Sequence, residues 1–324
     1  MKGSLPILKP PVQYSPPIDL LTSLLCSEDR CYYDLINNFI EITYIRNSPI
    51  GWVEFWGFND FRNFSSLDMS VIPRDYINQN NLFDIIEDLI NCGYYLMLNV
   101  NTQFIPCYNR KMPLYHELCI WGFDSERKTV NIQDYFDTLY WSNNTCTYQE
   151  ITDAFINYPF SDYIHGILAI RISKSQSSQF YPQNISSRIL LTLESQPGII
   201  YSENKLYGIS FFTEVRRVLT ENNLFLRYFN FMYAHVFFMC LRTGYLQKIK
   251  RNDSIQLIFR TTKELFTKIK QIRLFVLYEI ERKKNNKNYT IRFDRILNLV
   301  GQFEKEYIDH LKAILNYINL YILN

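Results

Sequence analysis

The spacing of apolar residues changes along the chain and predicts two kinds of structure. In the first half, short segments with helical spacing alternate with apolar runs of strand length. The strand candidates are residues 94–100, 116–123, 129–136 and 165–173. Polar turn residues 124–127 separate the second and third of these runs, so the two are predicted to pair as antiparallel strands.

Three helices are predicted around these strands. The first follows Ser27 or Asp29 as its N-cap and places apolar residues at helical spacing: Tyr32, Leu35, Ile36, Phe39 and Ile40. The second spans 81–93, with Asn81 as its cap and Gly93 just past its end. The third covers 147–158 and opens with the capping-box pair Thr147 and Glu150.

The second half of the chain is dominated by helical spacing. It follows a linker rich in Ser, Gln and Asn at 173–187 and contains helix candidates at 205–220, 226–246, 254–284 and 292–322. The fold class is therefore α+β, with a helix-plus-antiparallel-sheet domain followed by a helical bundle subdomain. The predicted parts are an extended N-terminal arm at 1–20, the α+β domain at 21–173 and the helical subdomain at 188–324.

Composition narrows the class of protein. The chain has 324 residues, of which 47% are hydrophobic and 20% charged, as in globular proteins. A net charge of +2 argues against a nucleic-acid-binding protein. The N-terminal residues lack the long apolar run expected of a signal peptide, and the most apolar predicted helix is interrupted by Asn230 and His235. We therefore predict a cytoplasmic protein that does not bind a membrane.

The seven cysteines are irregularly spaced and form no CxxC pair, which argues against both a disulfide framework and a zinc site. Cys31 is distinctive because it lies in the first turn of the first predicted helix. Unpaired backbone amides and the helix dipole favour the thiolate at such a position. Cys31 is therefore the candidate nucleophile.

His116 and Asp134 are the candidate partners of this thiol. His116 begins one predicted strand and Asp134 ends the next. The start of one antiparallel strand lies beside the end of its neighbour, so the two side chains are predicted to touch. Together the three residues supply a nucleophile, a base and an orienting carboxylate, which is the arrangement needed for covalent acyl chemistry.

These segments resemble the papain-like fold and, within it, the C39-peptidase-like branch. More narrowly, they resemble the amino-terminal domain of the butirosin biosynthesis protein H family, found in nonribosomal-peptide clusters. The resemblance covers roughly residues 20–170. It rests on Cys31 with its helix, the strand "GYYLMLNVNTQFIP" and the block "YHELCIWGFDSERKTVNIQDYF". The matching positions in these segments are Asn99 or Asn101, Pro106, His116, Gly122, Phe123, Asp124 and Asp134.

The resemblance implies a reaction and its partners. Members of this family accept an acyl chain from a carrier-protein thioester on the cysteine and pass it to an amine, as in closthioamide-type assembly. The expected partners are an acyl or peptidyl carrier protein and a small amine, and a homodimer is compatible with the sequence. Phosphopantetheine would enter as part of the carrier, with no metal or other cofactor. The basic residues within 281–287 suit an acidic carrier.

The sequence departs from papain-like enzymes at one position. The Gln that usually precedes the nucleophile and stabilises the oxyanion is replaced by Leu25. The donor would then be the Cys31 amide with Asn99 or Asn101. Two alternatives remain: a papain-like cysteine peptidase or amidase, which the missing Gln disfavours, and a catalytically inactive carrier-binding module.

The other cysteines have alternative interpretations. Cys31 itself could be a small buried residue, with Cys26 as the rival nucleophile. Cys107 lies in a loop near the predicted cleft, without support from helix amides. Cys119 is expected in the core, and Cys92 and Cys240 are expected to be inert in apolar helices.

The remaining histidines and aspartates have simpler interpretations. His116 could be a satisfied core histidine, and a core position is favoured for His235. His165 and His310 have no partner that the sequence identifies. Asp124 is expected to be a turn residue, and Asp137 is a weaker rival to Asp134.

Overall fold

A computed structural model describes residues 2–7, 9–45, 51–55, 64–136, 140–160, 166–197 and 205–323. Over these residues the protein is a mixed α+β structure with an antiparallel sheet, as predicted. The chain divides into two compact units. The first contains Met1–Tyr32 and Phe64–Ser178, and the second contains Tyr33–Asn63 and Gln179–Asn324.

The described helices and strands follow one another in the order given by their numbers. The helices are α1 (Pro16–Ser27), α2 (Tyr32–Asn37), α3 (Leu82–Asn91), α4 (Tyr148–Ile156), α5 (Pro182–Glu194), α6 (Ser210–Thr220), α7 (Leu226–Ile249), α8 (Asp253–Asn285) and α9 (Phe293–Tyr321). The strands are β1 (Lys2–Ser4), β2 (Ile42–Ile45), β3 (Val53–Phe55), β4 (Leu67–Pro73), β5 (Tyr95–Asn101), β6 (Tyr115–Asp124), β7 (Thr129–Asp134), β8 (Ser142–Thr147), β9 (Gly166–Ile172) and β10 (Lys205–Tyr207).

An antiparallel sheet forms the centre of the first unit. Its described strands run in the order β4, β9, β5, β6, β7, β8, and β1 pairs with the far end of β6. The strands β6 and β7 are joined by a turn in which Asp124 Oδ1 accepts hydrogen bonds from the amides of Glu126 and Arg127, at 3.2 and 3.1 Å. The interpretation of Asp124 as a turn residue is thereby confirmed.

The sheet is covered by helices because both of its faces are apolar. Leu98, Leu118 and Ile132 belong to one buried cluster with the apolar residues of α3 and α4. Side chains alternate along a strand, so the neighbours Met97 and Cys119 point to the opposite face, where α1 packs against β6 and β9. Cys119 is fully buried there, as predicted.

The second unit is a helical assembly with a small sheet. Helix α7 packs against α8, and α9 packs against α8, α5 and α6. The sheet has the order β10, β2, β3 over the described residues, and α6 and α7 pack against its strands. The sequence predicts a nearly all-helical second domain from residue 188; the structure adds this small sheet and groups Tyr33–Asn63 with the second unit.

The first predicted helix is wrong in its extent. Cys26 and Ser27 end the separate helix α1, Asp29–Cys31 form a 3₁₀ turn, and α2 ends at Asn37. Phe39 then adopts a left-handed conformation at φ 58°. Tertiary contacts explain this early end. The buried Arg242 side chain donates to the carbonyls of Ile36, Asn38 and Phe39, which a longer helix would use itself.

The segment predicted as an extended arm is partly regular. Residues Lys2–Ser4 form a strand, and α1 begins at Pro16. Proline at the first positions of a helix is compatible with helical φ and removes amides that would lack partners, so these prolines start a helix instead of preventing one. The predicted linker at 173–187 likewise contains the start of α5.

Candidate active site

His116 and Asp134 meet where strand β7 ends. Asp134 is the last residue of β7, and His116 is the second residue of β6, opposite Val100 of β5. The His116 Nε2 and Asp134 Oδ1 atoms are 3.2 Å apart. The contact predicted from the strand order is confirmed. Asp134 is fully buried, whereas 30% of the His116 side chain is exposed. The carboxylate is therefore shielded from solvent, and the imidazole is accessible to it.

Asp134 is held by two further donors. The Tyr135 amide donates to Oδ1 over 2.7 Å, and the Tyr108 hydroxyl donates to Oδ2. A carboxylate that accepts from His116 Nε2–H fixes the neutral imidazole as the tautomer that leaves Nδ1 without a proton. His116 is therefore oriented to accept a proton through Nδ1.

Tyr108 reaches Asp134 from the loop after β5. It ends the 3₁₀ turn Pro106–Tyr108, and Asn109 then reverses the chain in a left-handed conformation at φ 52°. The side chain is buried against Phe136, with ring centroids 5.1 Å apart. Burial, followed by the charge of Asp134, raises the pKa of Tyr108 well above its ordinary value. The phenol therefore stays protonated and acts as a donor.

The other nitrogen of His116 faces a second carboxylate. Glu117 Oε2 lies 3.4 Å from His116 Nδ1, and 15% of the Glu117 side chain is exposed. Neighbouring strand residues normally point to opposite faces, but the β6–β7 register ends at Cys119 and Gln133. Within the described sheet, His116 and Glu117 of β6 therefore pair with β5 but not with β7. The two side chains meet at this open edge of β6.

Cys31 lies at the end of the 3₁₀ turn Asp29–Cys31, directly before α2. Its side chain is 0% exposed. Its amide donates to the Glu28 carbonyl over 3.0 Å, which engages one of the two donors predicted for the oxyanion. Helix α2 has six residues, so its dipole is smaller than that of the longer predicted helix. The approach of Cys31 Sγ to His116 stays a prediction.

The asparagines predicted as oxyanion donors lie beside Val100 on β5. Strand alternation points both side chains away from the face that carries Val100. Asn101 Oδ1 accepts from the Gln103 amide over 3.2 Å and caps the turn that follows. Asn99 is the strand partner of Glu117. An oxyanion role for either residue stays a prediction.

Several rival cysteines are poorly suited to form a thiolate. Desolvation raises the pKa of Cys26 and of Cys107 to about 11. Cys26 also lies in the last turn of α1, where the negative end of the helix opposes a thiolate. Burial raises the pKa of Cys240 to about 12 and raises those of Cys119 and Cys146 further. Cys92 lies at the end of α3 and is exposed, and its inertness stays a prediction.

Two of the remaining histidines are core residues of the second unit. His235 Nε2 donates to the Ile40 carbonyl over 2.6 Å, and burial lowers the pKa of His235 to about 3. His310 Nε2 lies 2.7 Å from Thr262 Oγ1, and burial lowers its pKa to about 4. The core interpretation of His235 is confirmed, and His310 has a partner that the sequence did not identify. His165 and Asp137 lie outside the described residues.

Sequence reasoning missed Tyr108 and Glu117. Glu117 had a visible signal, because it is a charged residue directly before the apolar run "LCIWGF". Tyr108 had none beyond its position two residues after Pro106, since only the folded loop brings it to Asp134.

The described residues lack two features. They contain no group of three or more His, Cys, Asp or Glu side chains placed to hold a metal ion. Within the same ranges, no helix combines the length and apolar character needed to cross a membrane.

Comparison of the chain with protein-family models and with curated proteins found no match.

Proposed function

We propose that the protein is a papain-like cysteine acyltransferase that moves an acyl or peptidyl chain from a carrier-protein thioester to an amine, forming an amide. The observation that supports this most directly is the His116–Asp134 pair, with 3.2 Å between Nε2 and Oδ1. Three hydrogen bonds hold the Asp134 carboxylate, and Nδ1 is the nitrogen left to exchange a proton. The resemblance of the surrounding strands to the family supports the reaction class.

The first half-reaction loads the enzyme. His116 Nδ1 takes the proton of the Cys31 thiol, and the thiolate attacks the thioester carbonyl carbon. The tetrahedral intermediate collapses, the bond to the carrier sulfur breaks, and His116 returns the proton to the departing phosphopantetheine thiolate. Asp134 stabilises the imidazolium that forms in between.

The second half-reaction forms the amide. A neutral amine attacks the acyl carbon on Cys31, and the bond from that carbon to the cysteine sulfur breaks. One N–H proton passes through His116 to the Cys31 thiolate, so the enzyme returns to its starting state. The carrier supplies the phosphopantetheine arm, and the proposed reaction uses no other cofactor.

Transfer is favoured over peptide hydrolysis because two expected oxyanion donors are missing or already engaged. Leu25 stands where papain-like peptidases have a Gln, and the Cys31 amide is engaged with Glu28. A thioester is already activated, so its exchange with a thiol requires less stabilisation of the oxyanion than cleavage of an amide does.

The full burial of Cys31 favours one alternative function, a catalytically inactive module that binds carriers. A nucleophile must be reached by its substrate, whereas a buried structural cysteine need not be. Exposed basic residues at the end of α8 would suit an acidic carrier in either case: Arg282, Lys283, Lys284 and Lys287. We place the reaction in the cytoplasm as part of the same proposal.

Intact-protein mass spectrometry after incubation with an acyl-loaded carrier tests the proposal. The wild type should gain the mass of one acyl group, and adding a diamine should remove it and yield the amide. Cys31→Ala should show neither event, whereas the matched variant Cys26→Ala should behave as the wild type. Carrier binding without an adduct would favour the binding module, and free acid in the presence of amine would favour a peptidase or amidase.

A further inference from the structure

Two carboxylates flank one imidazole, and they differ in accessibility. Asp134 is 0% exposed and lies on Nε2, whereas Glu117 keeps 15% exposure and lies on Nδ1, at 3.4 Å. Asp134 alone is sufficient to fix the imidazole tautomer. The position of Glu117, on the side of the nitrogen that exchanges protons, calls for a separate explanation.

We propose that Glu117 is a specificity-determining residue that holds the acceptor amine in its protonated form beside His116 Nδ1. This inference rests on the proposed acyl transfer. A carboxylate accepts short, charge-assisted hydrogen bonds from an ammonium group. Because Oε2 is 3.4 Å from Nδ1, an ammonium nitrogen bonded to Glu117 is also within hydrogen-bond reach of the base.

The position of Glu117 matches the proton balance of the second half-reaction. Aliphatic amines are protonated near neutral pH and cannot attack in that form. The bound ammonium loses one proton to His116 Nδ1, which passes it to solvent. The remaining neutral amine attacks the acyl carbon, the bond to the Cys31 sulfur breaks, and a second N–H proton passes through His116 to the thiolate. Glu117 itself undergoes no net change.

The fold supports this role independently of any acceptor. Glu117 stands within a strand whose next three residues, Leu118, Cys119 and Ile120, are fully buried. A carboxylate there would be costly to desolvate if it were turned inward. The open edge of β6 beyond the end of β7 lets it turn towards His116 and solvent.

Single-turnover transfer from preformed acyl-enzyme tests the inference, with an aliphatic diamine and with hydroxylamine, which is uncharged at neutral pH. Neutralising Glu117 also changes the environment of His116 Nδ1, so acyl-enzyme formation by Glu117→Gln is the reference rate. Relative to that rate, the half-saturating diamine concentration should rise about tenfold or more, the effect expected from losing a charged hydrogen bond. Transfer to hydroxylamine should change by no more than acyl-enzyme formation does. Glu126→Gln, in the turn after β6, is the matched control.

Each other outcome decides against the inference. If Glu117→Gln slows acyl-enzyme formation and transfer to both nucleophiles equally, Glu117 positions His116 and does not select the acceptor. If the variant matches the wild type with the diamine, Glu117 does not contact the acceptor. If the wild type forms no acyl-enzyme, the proposed function fails, and this inference fails with it.

Discussion

Tyr108 donates its phenolic hydrogen to Asp134, although the two residues are 26 positions apart and belong to a loop and a strand. The bond leaves the other Asp134 oxygen to His116 and the Tyr135 amide. Tyr108 therefore belongs to the hydrogen-bonded group that sets the orientation of the imidazole, even though it does not contact His116 in the described hydrogen bonds.

Replacing Tyr108 with Phe should weaken this group while preserving the ring packing against Phe136. The lost bond is to a charged oxygen, and such bonds contribute about 1.5–3 kcal/mol. We expect acyl-enzyme formation to slow about tenfold. The free energy of unfolding should fall by about 1.5–3 kcal/mol. Rates and urea denaturation measure both, with the exposed Tyr76→Phe as control. An unchanged rate of acyl-enzyme formation would show that Tyr108 does not help to orient His116 through Asp134.

Replacing Asp134 with Asn should affect catalysis more than folding. The Asn amide can still occupy the site, but it can donate to Nε2 and so favour the wrong imidazole tautomer. Neutralising the aspartate of a serine-protease triad costs roughly 10⁴-fold in rate, and we expect a loss of about 10²- to 10⁴-fold here. Both half-reactions should slow, while circular dichroism stays native. A variant with wild-type kinetics would exclude Asp134 as the orienting residue.

Cysteine labelling tests whether Cys31 is the nucleophile. With a small alkylating reagent near neutral pH, Cys31 and the exposed Cys92 should react before the five cysteines whose pKa desolvation raises, among which Cys26 is also exposed at the surface. His116→Ala should slow Cys31 alone, because the imidazole supports its thiolate. Peptide mass mapping identifies each site, with Cys92 as the internal reference. First labelling at Cys26 or Cys107 would move the nucleophile elsewhere.

The protein should become less stable as the pH decreases, because of His235 and His310. Their folded-state pKa values are lowered to about 3 and about 4 from an unfolded value near 6.5. The unfolded chain therefore binds protons first, and stability is lost as pH falls from about 6.5 towards 4. Each histidine contributes a slope approaching 1.4 kcal/mol per pH unit.

Urea denaturation at several pH values tests this dependence by comparing the wild type with His310→Gln. The variant should show a shallower slope between about pH 6 and 4.5. Comparing slopes also removes the opposite contribution of Asp19, whose pKa burial raises to about 8. The contribution of Asp19 to the free energy of unfolding decreases as pH rises towards that value, equally in both proteins. Parallel curves for wild type and variant would show that His310 is not buried as a neutral group.

Replacing Arg242 with Met should destabilise the second unit. Methionine keeps much of the aliphatic volume but leaves the carbonyls of Ile36, Asn38 and Phe39 without these donors. Each buried unsatisfied group costs about 1–3 kcal/mol, so we expect a loss of roughly 3 kcal/mol or more in the free energy of unfolding. Arg260→Met, on the exposed side of α8, is the matched control. Equal stability of the two variants would show that these hydrogen bonds of Arg242 do not stabilise the second unit.

The sequence was most informative where local pattern and burial agree. The strands β5, β6, β7 and β9, the capping box of Thr147 and the long helices α7 to α9 follow from apolar spacing and end signals. The His116–Asp134 contact followed from strand order alone.

The remaining features depend on contacts between distant segments. The end of α2 is set by a side chain about 200 residues away, which no local pattern encodes. Strand β8 has the polar sequence "SNNTCT", so it pairs with β7 without apolar alternation. Tyr108 joins the site through a loop conformation, and Glu117 through the short register of β7.

Each compact unit is assembled from two separated stretches of chain, and this has a consequence for folding during synthesis. The first unit cannot close its sheet until residue 172 has emerged from the ribosome, because β9 lies between β4 and β5. Nascent β4 and β5 must wait, with unpaired edges, for this late strand. Long-range strand pairing of this kind slows folding and exposes edges to aggregation. A fragment beginning at residue 179 would in turn lack the carbonyls that Arg242 binds, so this fragment should be unstable by itself.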